Sequence, residues 1–364
     1  MKFVNEFRSR SLTGKLVNAI NGIMPEREVR LMEVCGTHTA SFYRFGLDRL
    51  IPPGLKLISG PGCPVCVTAE GFIDAACGLA KDKDTLVLSF GDMLRVPGSN
   101  SSLEEAGGKF SNVRLVYSPL EALKIASDHP GKKVIFLAVG FETTAGSIAL
   151  TVLAAKKKKL KNLFFYSALK LIPPAMEYIL SDPRQRLDGF LCPGHVSAII
   201  GTRAYAPVLK KYRIPLCVAG FEPVDILEGF YLLLKQIKNN SPRIDNQYLR
   251  VVRGPGNIKA QRITGRVFRV SDASWRGLGE LPLSGLKLKK EFAFFDAKRQ
   301  FSLKENPSFT RGGRKKCGCA DVLKGLLSPK ECPLFFKACT PENPYGPCMV
   351  SREGACNAYF KYRR

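Results

Sequence analysis

A short apolar run followed by a helical stretch recurs along most of this chain, and that recurrence limits the fold more than any other feature. The runs are VRLMEV (29–34), LKLIS (55–59), TLVLSF (85–90), VRLVY (113–117), KVIFLAV (133–139), NLFFYS (162–167), DGFLC (188–192) and IPLCVA (214–219). Most are rich in branched residues, as expected of strands buried on both faces of a parallel sheet. Helical stretches follow several of them, among them EGFIDAACGLA, PLEALKIASD, TTAGSIALTVLAA, PPAMEYIL and PVDILEGFYLLLKQIK. Such alternation predicts a layered α/β protein. A chain of 364 residues has length for two or three domains with real cores. AVGFETTA (138–145) echoes VAGFEPVD (218–225), which supports two similar α/β halves. Boundaries near residues 125 and 235 are expected, dividing the chain into 1–125, 126–235 and 236–364.

The texture changes after about residue 240. Residues 246–270 are rich in Arg and Gly, helical periodicity is absent, and irregular β or loop structure is expected. From Cys317 onward Cys, Pro and Gly dominate. Such a tail cannot build a large apolar core, and a bound metal would supply the missing organisation. No apolar run is long enough to span a membrane, and the first residues lack the apolar centre of a secretion signal. A cytoplasmic protein is expected. Twelve cysteines in such a chain point to metal or redox chemistry before structural disulfides.

Ligands of parallel α/β sheets gather at the carboxyl ends of strands. The reactive residues of this sequence fall at those ends. Cys35-Gly36-Thr37-His38 follows the first run, and Gly60-Pro61-Gly62-Cys63-Pro64-Val65-Cys66 the second. Gly91-Asp92-Met93, Gly140-Phe141-Glu142, Pro193-Gly194-His195 and Gly220-Phe221-Glu222 follow later runs. A common cleft is expected. Cys63 and Cys66 form a C-x-x-C, which suits a redox pair, a metal contact or two buried thiols; at a helix start the exposed N–H groups would lower a thiol pKa. Cys35 is a soft donor three residues before His38, which could ligate, move a proton or orient a ligand. His195 sits in a similar loop, whereas His129 lies in a turn-like SDHPGK. Glu142 and Glu222 could position a partner group or act as acids at helix starts.

Six cysteines lie in the tail. Cys317, Cys332, Cys339 and Cys356 are separated by 14, 6 and 16 residues, with Cys319 and Cys348 inside the pattern. Four thiolates could hold zinc or a cubane iron–sulfur cluster. Paired short-spaced knuckles are missing, which leans toward the cluster. Spacing alone does not choose which four would bind.

The segments MEVCGTHT, SGPGCPVCVT, GDMLRVPGS, GFETTA, IPPAM, PGHVS, GFEPVDIL, WRGLG and ECPLFFKACTPENPYGPCMVSREGAC carry a resemblance to the HypD family of hydrogenase maturation proteins. It extends from residue 32 to residue 356. The resemblance implies two Rossmann-like parallel-sheet domains plus a C-terminal iron–sulfur domain. It implies a scaffold that builds the Fe(CN)2CO part of a [NiFe]-hydrogenase centre with a HypC-type chaperone. HypE, with HypF upstream, would donate the cyanide ligands. The family's [4Fe–4S] spacing falls on Cys317, Cys332, Cys339 and Cys356. Cys319 and Cys348 match a pair that can form a disulfide, Cys35 the cysteine that transiently binds iron carrying CN and CO, and Cys63 and Cys66 the redox pair. Glu142 and His195 would line the same cleft. Ala40 stands where some members have a second histidine, so mechanisms needing two histidines beside Cys35 lose support. Ala69 and Gly146 replace usual prolines. No G-x-G-x-x-G follows the first run, and no dinucleotide is inferred.

Two other readings compete. A net charge of +25 favours phosphate contacts, as in a nucleic-acid-binding Fe–S protein. The basic residues are spread out, however, and no recognised reading module is present, so neither a nucleic-acid partner nor a membrane is expected. The charge would instead steer an acidic protein partner. Alternatively, Cys63 and Cys66 would serve a self-contained thiol–disulfide oxidoreductase, acting without iron.

Overall fold

Each of those apolar runs forms a strand in the computed structural model, which describes residues 5–110, 112–305 and 317–363. The strands are β1 (Val29–Glu33), β2 (Leu55–Ser59), β3 (Thr85–Ser89), β4 (Val113–Leu115), β5 (Lys133–Gly140), β6 (Leu163–Leu169), β7 (Gly189–Pro193) and β8 (Leu216–Ala219). Three more follow: β9 (Ile244–Asn246), β10 (Phe268–Trp275) and β11 (Gly279–Leu288). One sheet has the order β2-β1-β7-β8-β9 and another β4-β3-β5-β6. Every pairing within these two sheets is parallel. β10 and β11 form an antiparallel hairpin.

Helices cover the faces. Arg10–Ile23 and Pro223–Lys238 pack on the first sheet, where Ile20, Leu31, Leu191, Phe230 and Leu233 are fully buried. Glu142–Lys157 covers the second sheet through Ile148, Ala149 and Val152, and the hairpin adds Phe268 and Leu286 to that core. A third core joins both sheets to the tail, combining Met32, Val87, Ile135, Phe190, Trp275, Cys348 and Met349.

Two expectations are corrected. The strand pairings cut across the boundaries at 125 and 235. β1 and β2 pair onward with β7, β8 and β9, whereas β3 to β6 form the other sheet. Buried parallel strands look alike locally, so the pattern marks them without naming their partners. The segment after residue 240 is also more regular than expected. It contains a helix, Ile258–Val267, capped by the Asn257 side chain, and a long hairpin. That helix buries only Val267 and lies against Gly146 through Ala260 and Thr264, so it carries no broad apolar stripe.

The interleaving has a direct consequence. A fragment of residues 1–125 contains β1 and β3 without the β7 and β5 that flank them. It should show no cooperative urea transition by circular dichroism, and a sharp transition would contradict the interleaved sheets.

Candidate functional site

β1 ends at Glu33, and Cys35 is the N-cap of the helix Gly36–Arg44. The Cys35 carbonyl accepts the His38 N–H at 2.8 Å, and its own N–H donates to Glu33 Oε2 at 2.7 Å. Burial, reinforced by the Glu33 and Glu353 carboxylates, pushes the Cys35 thiol up to about 12, while the N–H groups of His38 and Thr37 act the other way. Glu33 is itself fully buried, bonds to the Thr39 hydroxyl, and has no cation partner among the described residues. Burial lifts its carboxyl to about 8. The helix-start thiol is therefore Cys35. The C-x-x-C lies in a turn before the helix Glu70–Ala80 and does not have the helix-start geometry considered for it.

His38 is completely buried. Its Nε2 lies 2.9 Å from the Gly220 carbonyl and 3.2 Å from that of Ala219, so it must carry the proton and donate. Nδ1 has no partner. Burial lowers the imidazole to about 4, so the ring is neutral. Phe221 lies between His38 and His195, with ring centroids 4.7 and 4.0 Å away. His195 is exposed and within electrostatic reach of Glu353, which comes from the tail and accepts the Thr37 hydroxyl at 2.7 Å.

Glu142 starts its helix and faces inward. Oε1 accepts the Ile172 N–H at 2.9 Å, and Oε2 has no partner among the described residues. It shares electrostatic contact with the buried Tyr205, as does Cys35. Glu222 proves to be a helix cap, in a reciprocal box with Asp225 and an ion pair with Arg8. His129 closes a helix by bonding the Ile125 carbonyl.

The thiols form a series. Cys63 accepts the Cys66 N–H, and the Cys66 thiol interacts with those of Cys348 and Cys63 while reaching the Pro347 carbonyl at 3.5 Å. Cys348 and Cys319 sulfurs are 2.8 Å apart, and Cys319 interacts with Cys317. Cys317, Cys332, Cys339 and Cys356 line one small cavity with that pair, closed by Phe335 and Met349. The Gly318 N–H donates to Cys332 Sγ at 3.4 Å, and the Tyr345 N–H to Cys339 Sγ at 3.3 Å. A Cβ at Gly346 would lie 2.8 Å from Cys317 Sγ. Among the described residues no three His, Cys, Asp or Glu groups converge on a single metal ion. A sulfur-lined void with N–H donors on its thiols suits a larger inorganic cluster better than one zinc, whose Zn–S bonds are about 2.3 Å.

Sequence reasoning missed Glu33, Phe221, Glu353 and Arg276. A charge inside an apolar strand was the available signal for Glu33. Arg276 is buried against Glu70, donates to the Pro97 carbonyl, and faces Cys317 and Cys319 electrostatically. Nothing in the tail singled out Glu353.

Fold and site together define a parallel α/β protein whose reactive thiols gather at strand ends beneath a cysteine-rich tail. The HypD family model, described as the hydrogenase formation hypA family, matches residues 11–363. The chain is 44% identical over 372 residues to the hydrogenase maturation factor HypD of Azotobacter vinelandii, covering 100% of this chain and 97% of that protein. It is 40% identical over 376 residues to the hydrogenase maturation factor HypD of Escherichia coli (strain K12), covering 100% and 99%. The chain belongs to the HypD family of hydrogenase maturation factors.

The inward carboxyl of Glu142 generates a pH prediction. Burial raises it from 4.5 to about 7. The folded chain then holds this proton more tightly than the unfolded one. Its stabilising contribution is complete below pH 4.5 and is lost as pH rises through about 7. Denaturant titrations across that window should show a declining component of up to about 1.4 kcal/mol per pH unit. Glu142→Gln should remove it; an unchanged slope in that variant would contradict the assignment.

Proposed function

We propose that this chain is a cytoplasmic scaffold for assembling the Fe(CN)2CO part of a [NiFe]-hydrogenase centre, working with a HypC-type chaperone. A HypE-type protein, with HypF upstream, would donate the cyanide ligands. The observation that carries this reading is the thiol series from Cys63 and Cys66 through Cys348 and Cys319 to the tail cavity, beside the Cys35 loop. Family membership supplies the class of product.

Cys317, Cys332, Cys339 and Cys356 are the residues that would hold a [4Fe–4S] cluster, which when bound supplies one-electron transfer. The other thiols manage electron pairs. With Cys319 and Cys348 oxidised, Cys66 as thiolate attacks Cys348, and Cys319 leaves as a thiolate and takes up a proton. Cys63, deprotonated in turn, then attacks Cys66 of the mixed disulfide, and Cys348 leaves as a thiolate that takes up that proton. Two electrons move from one dithiol to the other pair, with no outside reagent.

Cys35 would anchor the iron cargo. Iron must displace its proton, because a thiolate is the ligand. His38 offers a neutral Nδ1 for a proton or a ligand, its ring fixed by the Ala219 and Gly220 carbonyls. The exposed edge carries Thr37, His195 and Glu353, where a HypC-type chaperone would dock and complete the iron's donor set. A self-contained oxidoreductase would need a surface thiol, yet Cys63 is 3% and Cys66 0% exposed.

Anaerobically purified protein should contain about four iron and about four acid-labile sulfide per chain. One zinc without sulfide would overturn the cluster assignment. In the anaerobic complex with its chaperone, Cys35→Ser should abolish the infrared cyanide and carbonyl bands while leaving the tail iron and sulfide in place. Normal bands in that variant would remove Cys35 from the iron site.

A further inference from the structure

Lys170 is a buried cation that the reading above does not use. It follows the carboxyl end of β6, is 2% exposed, and forms no ion pair among the described residues. Its ammonium group has three donors. One makes a long bond to the Ala168 carbonyl at 3.4 Å, and the nitrogen lies 5.7 Å from the centre of the Trp275 ring. Burial lowers its pKa to about 8, with Glu305 and Glu280 opposing. A desolvated cation this poorly paired is costly to the fold unless something else meets it.

A cavity of about 350 Å³ opens beside Lys170, between the end of β6, the start of the helix Glu70–Ala80 and the β10–β11 hairpin. That size falls in the range of small-molecule sites. The hairpin docks by way of Gly285, which bridges to Lys170; a Cβ there would meet Ala273 Cβ at 2.5 Å. The Leu171 N–H donates to the Ser284 carbonyl at 2.9 Å. The ladder shifts register between Ser271 and Ala273, an irregularity of a kind frequent beside active sites. Ser271 is 8% exposed, lines the cavity, and its Oγ has no hydrogen-bond partner among the described residues.

Most acids of the lining are already engaged. Asp272 accepts the Leu283 N–H, Asp296 accepts the Lys298 N–H, and Glu305 takes the Tyr166 hydroxyl and the Lys298 ammonium. Glu280 is exposed at the rim. Lys170 Nζ, with one long bond, and Ser271 Oγ, with none among the described residues, are buried donors with capacity to spare. We propose that this cavity binds a small oxyanion, a carboxylate or phosphate group, through Lys170 Nζ and Ser271 Oγ. Phe72 and Leu169 offer apolar wall to the rest of such a ligand.

The site borders the thiols. Ala69 and Gly71 in its wall follow Cys66 closely, and the Arg276 N–H, next to Trp275, donates to the Val67 carbonyl at 2.8 Å. An occupied cavity would brace the chain segment that carries the C-x-x-C.

Isothermal titration of the full-length anaerobic protein with inorganic phosphate and, separately, with acetate tests the proposal, at ionic strength fixed with sodium chloride. One saturable site per chain is expected for at least one of them. Phosphate alone identifies a phosphate-bearing ligand, acetate alone a carboxylate, and both a general oxyanion site. Lys170→Met keeps the aliphatic stem and should weaken binding about tenfold or more, with a smaller loss for Ser271→Ala. Lys157→Gln, at the end of a distant helix, should leave binding unchanged. Should Lys170→Met fail to fold, Ser271→Ala, which removes only the hydroxyl, carries the test, and the same anion should bind it more weakly. Absence of saturable binding by either anion, or equal affinity in Lys170→Met or in Ser271→Ala, would each overturn the site.

Discussion

Three pieces of backbone meet so closely that only glycine fits between them, and the functional site depends on that contact. A Cβ at Gly62 would lie 2.2 Å from the Cys35 nitrogen, one at Gly36 2.3 Å from the Glu353 carbonyl oxygen, and one at Gly354 2.2 Å from the Cys348 carbonyl oxygen. The Gly36 N–H donates to the Gly62 carbonyl at 3.0 Å. The first two approaches press the C-x-x-C loop and the tail onto the Cys35 loop, and the third folds the tail closely on itself beside Cys348. Ser351 fastens the same tail segment to Asp92 at the end of β3. The thiol series is a product of this backbone packing, since the cysteines come from segments far apart in the chain.

Around Cys35 the ionisable groups are kept neutral by burial and not by pairing. Glu33 lies above the ordinary carboxyl range, His38 below the ordinary imidazole range, and Cys35 itself far above a free thiol. No cation faces Glu33 among the described residues, and Nδ1 of His38 is bare. An interior with so little fixed charge holds its protons until a positive centre arrives. Under the proposed function, a metal cargo would supply that charge and ionise Cys35. The same rule makes Lys170 notable, because it is a buried cation with donors to spare on the opposite side of the C-x-x-C segment.

The strands were legible because burial on both faces leaves a continuous apolar run, whatever the strand pairs with. The loops were legible because glycine beside a reactive residue at a strand end marks a place where the backbone turns sharply or another segment approaches closely. Glu142 and Glu222 show where that reading stops. Both follow Gly-Phe, yet one turns inward to the Ile172 N–H and the other caps a helix and meets Arg8. The helix Ile258–Val267 was hidden because it is polar on the whole and buries only Val267, so few apolar residues mark it in the sequence.

By itself, the sequence determined the α/β class, the positions of β1 to β8, and the grouping of cysteines in the Cys35, Cys63–Cys66 and tail segments. Side-chain type and local periodicity encode those features directly. Only the tertiary structure decided that β1 takes β7, and not β3 or β4, as its second neighbour beside β2, that Cys348 and Cys319 lie between the C-x-x-C and the tail cavity, and that Glu353 reaches Thr37. Each of these joins residues widely separated along the chain. They are set by which apolar faces and glycine surfaces fit together in space, and no local window of sequence contains both partners.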